Sequence, residues 1–221
     1  MAIAYTNKSK FSKLINQNNW PKILGLDGVK IAHSNPNLDP CGYRSILSLK
    51  LAEKYYKIQG LFNNLLGYKE FYKLGMENKK KVIVRPKETD LLALLEVGYI
   101  DYLFIYRSVA IQHKLNFITL PPEISMKNTI HSKFYKTAKF KIQGKRPDTW
   151  IKIQGAPMVY GITIPENQNS PQNKNGAKEF LKFLFSKRGQ KIMTQNGQGF
   201  FKNPKIEGKL PKYLNFLTPK K

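Results

Sequence analysis

Between residues 82 and 120 the sequence alternates short apolar runs with helix-like segments, and few architectures tolerate that rhythm. Residues 82–84 (Val-Ile-Val), 102–105 (Tyr-Leu-Phe-Ile) and 117–120 (Phe-Ile-Thr-Leu) have the length of strands. Between them, residues 90–97 and 108–113 read as helices, the first closed by Gly98 and the last strand stopped by Pro121-Pro122. Strand, helix, strand, helix, strand predicts a parallel α/β sheet. The unbroken apolar run 102–105 predicts a strand covered on both faces.

The flanking segments extend the pattern. Residues 1–5 and 29–33 read as strands, and the turn-rich stretch 34–37 leads into a helix starting near Asp39-Pro40. Asp is a preferred N-cap and Pro a preferred first helical residue. Tyr43, Leu47, Leu51 and Tyr55 recur every four residues and predict a buried stripe on that helix. In the last third, residues 158–164 read as a strand, 168–175 as a polar loop and 177–185 as an amphipathic helix. A second short helix follows from Gln190, and the tail is irregular. A boundary is expected near residues 121–130. No apolar run approaches the roughly 18 residues that span a bilayer. Residues 1–5 do not have the pattern of a basic segment followed by a long apolar one, so no secretory signal is read in them.

Charge narrows the partners. Thirty-eight Lys+Arg against 14 Asp+Glu give a formal charge of +24, which points to an anionic partner. Only Arg44, Arg85, Arg107, Arg146 and Arg188 are arginines, the rest being lysines spread along the chain. Proteins that read nucleic-acid sequence lean on the bidentate fork of Arg. The densest basic stretch, residues 131–152, interleaves Lys with Phe134, Tyr135, Phe140 and Trp150. It can be read as a base-stacking surface or as a half-buried strand over 139–142, and the alternation favours the strand.

Enzyme chemistry finds little support. His33, His113 and His131 lack ligand spacing, and Cys41 stands alone, which excludes an intramolecular disulfide and a multi-Cys metal centre. No phosphate loop, dinucleotide fingerprint or nucleophile elbow is present. The scarce acids are informative. Asp39 and Glu88 each follow a strand and precede a helix, the edge where parallel α/β folds bind ligands and where helix N-termini offer free N–H groups. Read from spacing alone, Asp39 is simply an N-cap, Glu88 a partner for its helix dipole, Tyr106 a core or rim residue and Cys41 a small buried one.

Three segments add a resemblance: Ser34-Asn-Pro-Asn-Leu-Asp-Pro-Cys-Gly-Tyr-Arg44, Arg85-Pro-Lys-Glu-Thr-Asp-Leu-Leu-Ala93 and Asp101-Tyr-Leu-Phe-Ile-Tyr-Arg-Ser-Val-Ala110. In this order they closely resemble the archaeal-type tungstate/molybdate-binding proteins of ABC importers, within the wider extracytoplasmic solute-binding family. The resemblance covers nearly the whole chain. It implies an α/β fold of type-II periplasmic-binding architecture, in which two lobes close on one tetrahedral oxyanion. It implies that Asp39 and Glu88 coordinate molybdenum or tungsten directly, that Tyr106 lies near the oxyanion, and that the turn Asp39-Pro40-Cys41 lends backbone contacts. No catalysis and no cofactor are implied, the ligand being tungstate or molybdate and the partners the permease subunits of the importer.

Set on that family, residues 1–9 are expected to be a crossover strand and residues 10–122 a complete lobe. Residues 123–221 would be the return crossover and the C-terminal part of the other lobe, whose earlier segment, including the signal peptide, is expected to be missing. An extracytoplasmic location follows from the resemblance alone. Two other readings stay open: a basic nucleic-acid-binding protein, and a truncated remnant that no longer binds.

Overall fold

The computed structural model describes residues 1–146, 148–164, 171–200, 204–208, 210 and 212–217. It divides into two compact units, Met1–Val159 and Tyr160–Lys221, so that residues 123–159 group with the sheet-bearing unit.

The elements of the first unit, in order, are β1 (Ala2–Tyr5), α1 (Trp20–Gly25), β2 (Ile31–Ser34), α2 (Pro40–Tyr55), α3 (Leu61–Leu66) and β3 (Val82–Arg85). A 3-10 turn (Glu88–Leu91) leads into α4 (Leu92–Glu96). There follow β4 (Tyr102–Ile105), α5 (Arg107–Gln112), β5 (Asn116–Thr119), α6 (Pro122–Ser125), α7 (Ser132–Tyr135), β6 (Lys139–Gln143) and β7 (Trp150–Gln154). Five strands form one sheet in the order β3-β2-β4-β1-β5. β2 runs parallel to β3 and β4, whereas β1 runs antiparallel to β4 and β5. The sheet is therefore mixed, built on three adjacent parallel strands with one reversed strand inserted, and the α/β lobe expected from the sequence is present. β6 and β7 form a separate antiparallel pair.

Strand pleating sorts side chains onto two cores. Ile3, Ile31, Tyr102 and Phe104 face one side, packed with Trp20, Ile46, Leu47 and Leu49. Their neighbours Ala4, Ala32, Leu103 and Ile105 face the other, packed with Leu91, Leu92, Leu95 and Ala110. All four residues of β4 are buried, which is why its sequence does not alternate. Each large side chain so buried contributes about 1.5–3 kcal/mol.

Several expectations are corrected. Residues 158–164 form no strand: the Met158 N–H donates to the Met126 carbonyl, but Val159, Tyr160 and Ile162 are exposed, and the run pairs with no strand among the described residues. The polar loop proposed for 168–175 is helical from Pro171, a residue suited to the first helical position; residues 168–170 lie outside the described residues. On α2, Leu47 and Leu51 are buried, but Tyr43 in the first turn is only half-buried and Tyr55 at the C-terminal end is exposed. The helix expected at 90–97 begins as the 3-10 turn Glu88–Leu91. The basic segment 131–152 supplies α7 and β6, with Tyr135 and Phe140 buried and Trp150 packed at a tilt against Phe71, 4.7 Å between ring centroids. Those rings are occupied in packing, as the half-buried-strand reading predicts.

The second unit contains α8 (Pro171–Phe185) and α9 (Lys187–Gln195). Ser186 caps α9, its hydroxyl accepting from the Gly189 N–H at 3.2 Å.

Candidate functional site

The parallel arrangement of β3, β2 and β4 puts their C-terminal ends on one edge. Glu88, Asp39 and Tyr106 are the residues that follow those ends, at the starts of the 3-10 turn, α2 and α5.

Asp39 is held tightly. Its backbone is extended (φ −134°, ψ 126°), and one carboxylate oxygen accepts from the Cys41 N–H at 2.9 Å, a side-chain N-cap on α2. The other oxygen accepts from the Glu88 N–H at 2.9 Å. Pro40 takes the first helical position, where the missing N–H is no loss. Thus a single buried carboxylate, 8% exposed, ties the start of α2 to the start of the turn that follows β3.

The Glu88 carboxyl also meets that of Asp39, and the two titrate as a pair. Burial favours the neutral form of Asp39, but hydrogen bonds from the Glu88 carboxyl and from the amides of Cys41 and Glu88 outweigh it and hold Asp39 below its usual range. Burial, the shared hydrogen bond and the charge of Asp39 push Glu88 up to about 7. Near neutrality Asp39 is the ionised member and Glu88 carries a proton part of the time.

Cys41 is fully buried, and burial together with the two carboxyls pushes its thiol far above the ordinary range. It is a protonated thiol that contributes its amide, not a nucleophile. Tyr106 precedes α5, and its hydroxyl accepts from Arg44 Nη1 at 2.6 Å. Burial pushes its phenol up, so it remains protonated. Among the described residues no cluster of three His, Cys, Asp or Glu side chains could hold a metal cation.

Four residues that sequence reasoning did not single out shape this corner. A Cβ on Gly42 would sit 2.3 Å from the Ser34 carbonyl oxygen and 2.8 Å from backbone atoms of Asn35 and Pro36, so only glycine lets α2 approach the turn. Ser34 is buried, and its hydroxyl lies toward the Asp39 carboxylate and helps to hold it ionised. His33 lies behind it, one ring nitrogen 2.7 Å from the Ser34 carbonyl oxygen and the other 2.8 Å from the Tyr68 hydroxyl. Arg44 is one of only five arginines, and that scarcity was the available signal. A separate groove of about 400 Å³, lined by Asn35, Asn37, Leu38, Lys73, Gln143 and Trp150 among others, contains none of the five predicted site residues.

Asp39, Pro40, Cys41, Glu88 and Tyr106 therefore lie along one strand edge, with the two carboxyls in contact. Such a corner offers an ionised and a protonable carboxyl and a phenol held by a guanidinium, the amides of Cys41 and Glu88 being engaged by Asp39.

Residues 1–198 match the bacterial extracellular solute-binding protein family. An uncharacterised solute-binding protein of Petrotoga mobilis is 46% identical over 198 residues, which cover 90% of this chain and 58% of the relative. Molybdate/tungstate-binding proteins of Pyrococcus abyssi and Thermococcus kodakarensis are 40% and 36% identical over 230 residues, 99% of this chain and 64% and 63% of theirs. The chain spans about three-fifths of the length of these curated relatives. Among solved structures, the periplasmic molybdate-binding protein of Azotobacter vinelandii is 14% identical, with a TM-score of 0.47, over 90% of this chain and 64% of that one.

Proposed function

The chain belongs to the bacterial extracellular solute-binding protein family, and from that premise we propose that it takes part in capturing tungstate or molybdate for an ABC importer. Asp39 and Glu88 supply oxygens to the central metal of the oxyanion. The Tyr106 hydroxyl binds an outer oxygen, and the amides of Cys41 and Glu88 act indirectly, by holding the Asp39 carboxylate in place. Delivery goes to permease subunits, and capture takes place outside the cytoplasm. The protein performs no reaction of its own.

The observation that carries this reading is the 2.9 Å hydrogen bond from the Glu88 N–H to the Asp39 carboxylate, which brings the two acids together at one strand edge. Two carboxylates facing a dianion repel it by several kcal/mol at about 4 Å in a medium of intermediate dielectric. That repulsion is offset only if their oxygens bond the central atom. Hexavalent molybdenum and tungsten are large enough to accept ligands beyond four, and sulfur in sulfate is not. The same carboxyls then admit one class of tetrahedral anion and reject the other by leaving it against desolvated charge. The lysine excess adds long-range attraction for dianions that salt would screen.

Calorimetric titration with tungstate, molybdate and sulfate tests the proposal. Tungstate or molybdate should give saturable heat and sulfate none; equal heats for all three would refute it. Glu88→Gln should weaken binding at least about tenfold, or about 1.4 kcal/mol.

A further inference from the structure

We propose that Arg44 is a positioning residue of this oxyanion site, fixing the Tyr106 hydroxyl as a hydrogen-bond donor to the bound anion. The inference rests on the oxyanion-binding reading given above.

The geometry is specific. Arg44 lies one turn beyond Cys41 on α2 and reaches across to the residue that follows β4. Its Nη1 donates to the Tyr106 hydroxyl oxygen at 2.6 Å, the short length typical of a charge-assisted bond. The guanidinium carbon lies 5.6 Å from the Tyr43 ring centroid and 5.7 Å from that of Tyr106. The guanidinium thus lies near the rings of both tyrosines as well as making the hydrogen bond.

Hydrogen-bond bookkeeping supplies the consequence. Guanidinium has donors only, so the phenol accepts from Arg44 and cannot donate back to it. The phenolic proton is turned away from Arg44. Burial keeps the phenol protonated, against the opposing pull of the Arg44 charge. A tetrahedral oxyanion presents acceptors only, and a phenol whose acceptor lone pair is already used meets it as a donor. The adjacent positive charge polarises that O–H and strengthens its bond to an anion. Arg44 also puts a fixed positive charge beside the hydroxyl that would meet the dianion. Lysine at this position would keep the charge but lose the planar group that both rings contact.

Titration calorimetry of the full 221-residue chain with sodium tungstate at neutral pH separates these roles. Arg44→Met should weaken binding at least about tenfold, Arg44→Lys and Tyr106→Phe at least about fivefold, and Arg44→Met in the Tyr106→Phe background no more than about twofold further. In ¹³C-tyrosine spectra, the Tyr106 resonance, assigned through Tyr106→Phe, should shift in ligand-free Arg44→Met and should move when tungstate is added to the wild type. Arg44→Lys, which keeps the charge, must melt as the wild type does, so that its weaker binding reads as lost positioning and not lost fold. The proposal is overturned if Arg44→Met binds within about twofold of wild type, if the two losses simply add, or if tungstate leaves the Tyr106 resonance unmoved. A wild-type chain that gives no heat with tungstate or molybdate overturns the oxyanion reading itself, and this inference with it. Normal wild-type binding with unaffected Arg44 variants overturns the role of Arg44 alone.

Discussion

The backbone N–H of Glu88 donates to a carboxylate oxygen of Asp39 at 2.9 Å, across 49 residues of sequence. The same carboxylate caps α2 through Cys41. One side chain therefore fixes the starts of two segments that follow neighbouring parallel strands, and it brings the Glu88 carboxyl within reach of its own.

Glu88→Gln should stabilise the ligand-free protein above neutral pH and not below pH 4.5. Glu88 has a folded value of about 7 against 4.5 in the unfolded chain. Between those values the folded state binds more protons, so stability falls as pH rises through the window and the penalty is complete above about 7. Glutamine removes it. Solvent access reduces the gain to about 1 kcal/mol. Urea midpoints at pH 4.5 and pH 8 check this; an equal gain at both would contradict it.

Asp39→Ala should cost about 1–2 kcal/mol, the loss of an N-cap plus a buried tie. Asp39→Asn should lose less, because asparagine caps helices as well as aspartate does. Chemical denaturation of the two variants separates the cap from the charge. Equal losses would mean that the charge alone matters.

Gly42→Ala should destabilise by about 2 kcal/mol, although alanine is the better helix former by about 1 kcal/mol. The added carbon would meet backbone atoms of Ser34, Asn35 and Pro36, which cannot swing aside as a flexible side chain could. A thermal melt equal to or above that of the wild type would refute this close approach.

The ring of His33 should stay neutral down to pH 5. Complete burial pushes it down to about 4, against the opposing pull of the Ser34 carbonyl. Because the unfolded ring titrates at 6.5, stability that depends on a neutral His33 falls as pH drops below 6.5 and is lost progressively toward 4. Proton spectra should show its ring signals unchanged from pH 8 to 5. Titration of those signals near 6.5 would contradict the buried arrangement.

Local rules made much of this legible. The run 102–105 announced a strand covered on both faces, and β4 is buried at all four positions. The Asp39-Pro40 pair announced a capped helix, and α2 begins there. What local rules could not give depends on neighbours distant in sequence. Contact between Asp39 and Glu88 requires β2 and β3 to be adjacent and parallel, a pairing that neither segment encodes alone. Gly42 looks like an ordinary glycine until the Ser34–Pro36 turn lies against it. Residues 158–164 carry strand-like residues but no strand, because propensity forms a strand only where an edge is available. Arg44 stood inside a motif already quoted, yet its partner lies 62 residues away.

The place of β1 in the middle of the sheet has a consequence for biosynthesis. Its partners β4 and β5 leave the ribosome about a hundred residues later, so β1 must wait, unpaired and apolar, for both of them. Cotranslational assembly of this sheet therefore cannot proceed strand by strand. It closes in one late step, when a segment synthesised long before slots between two newly made ones.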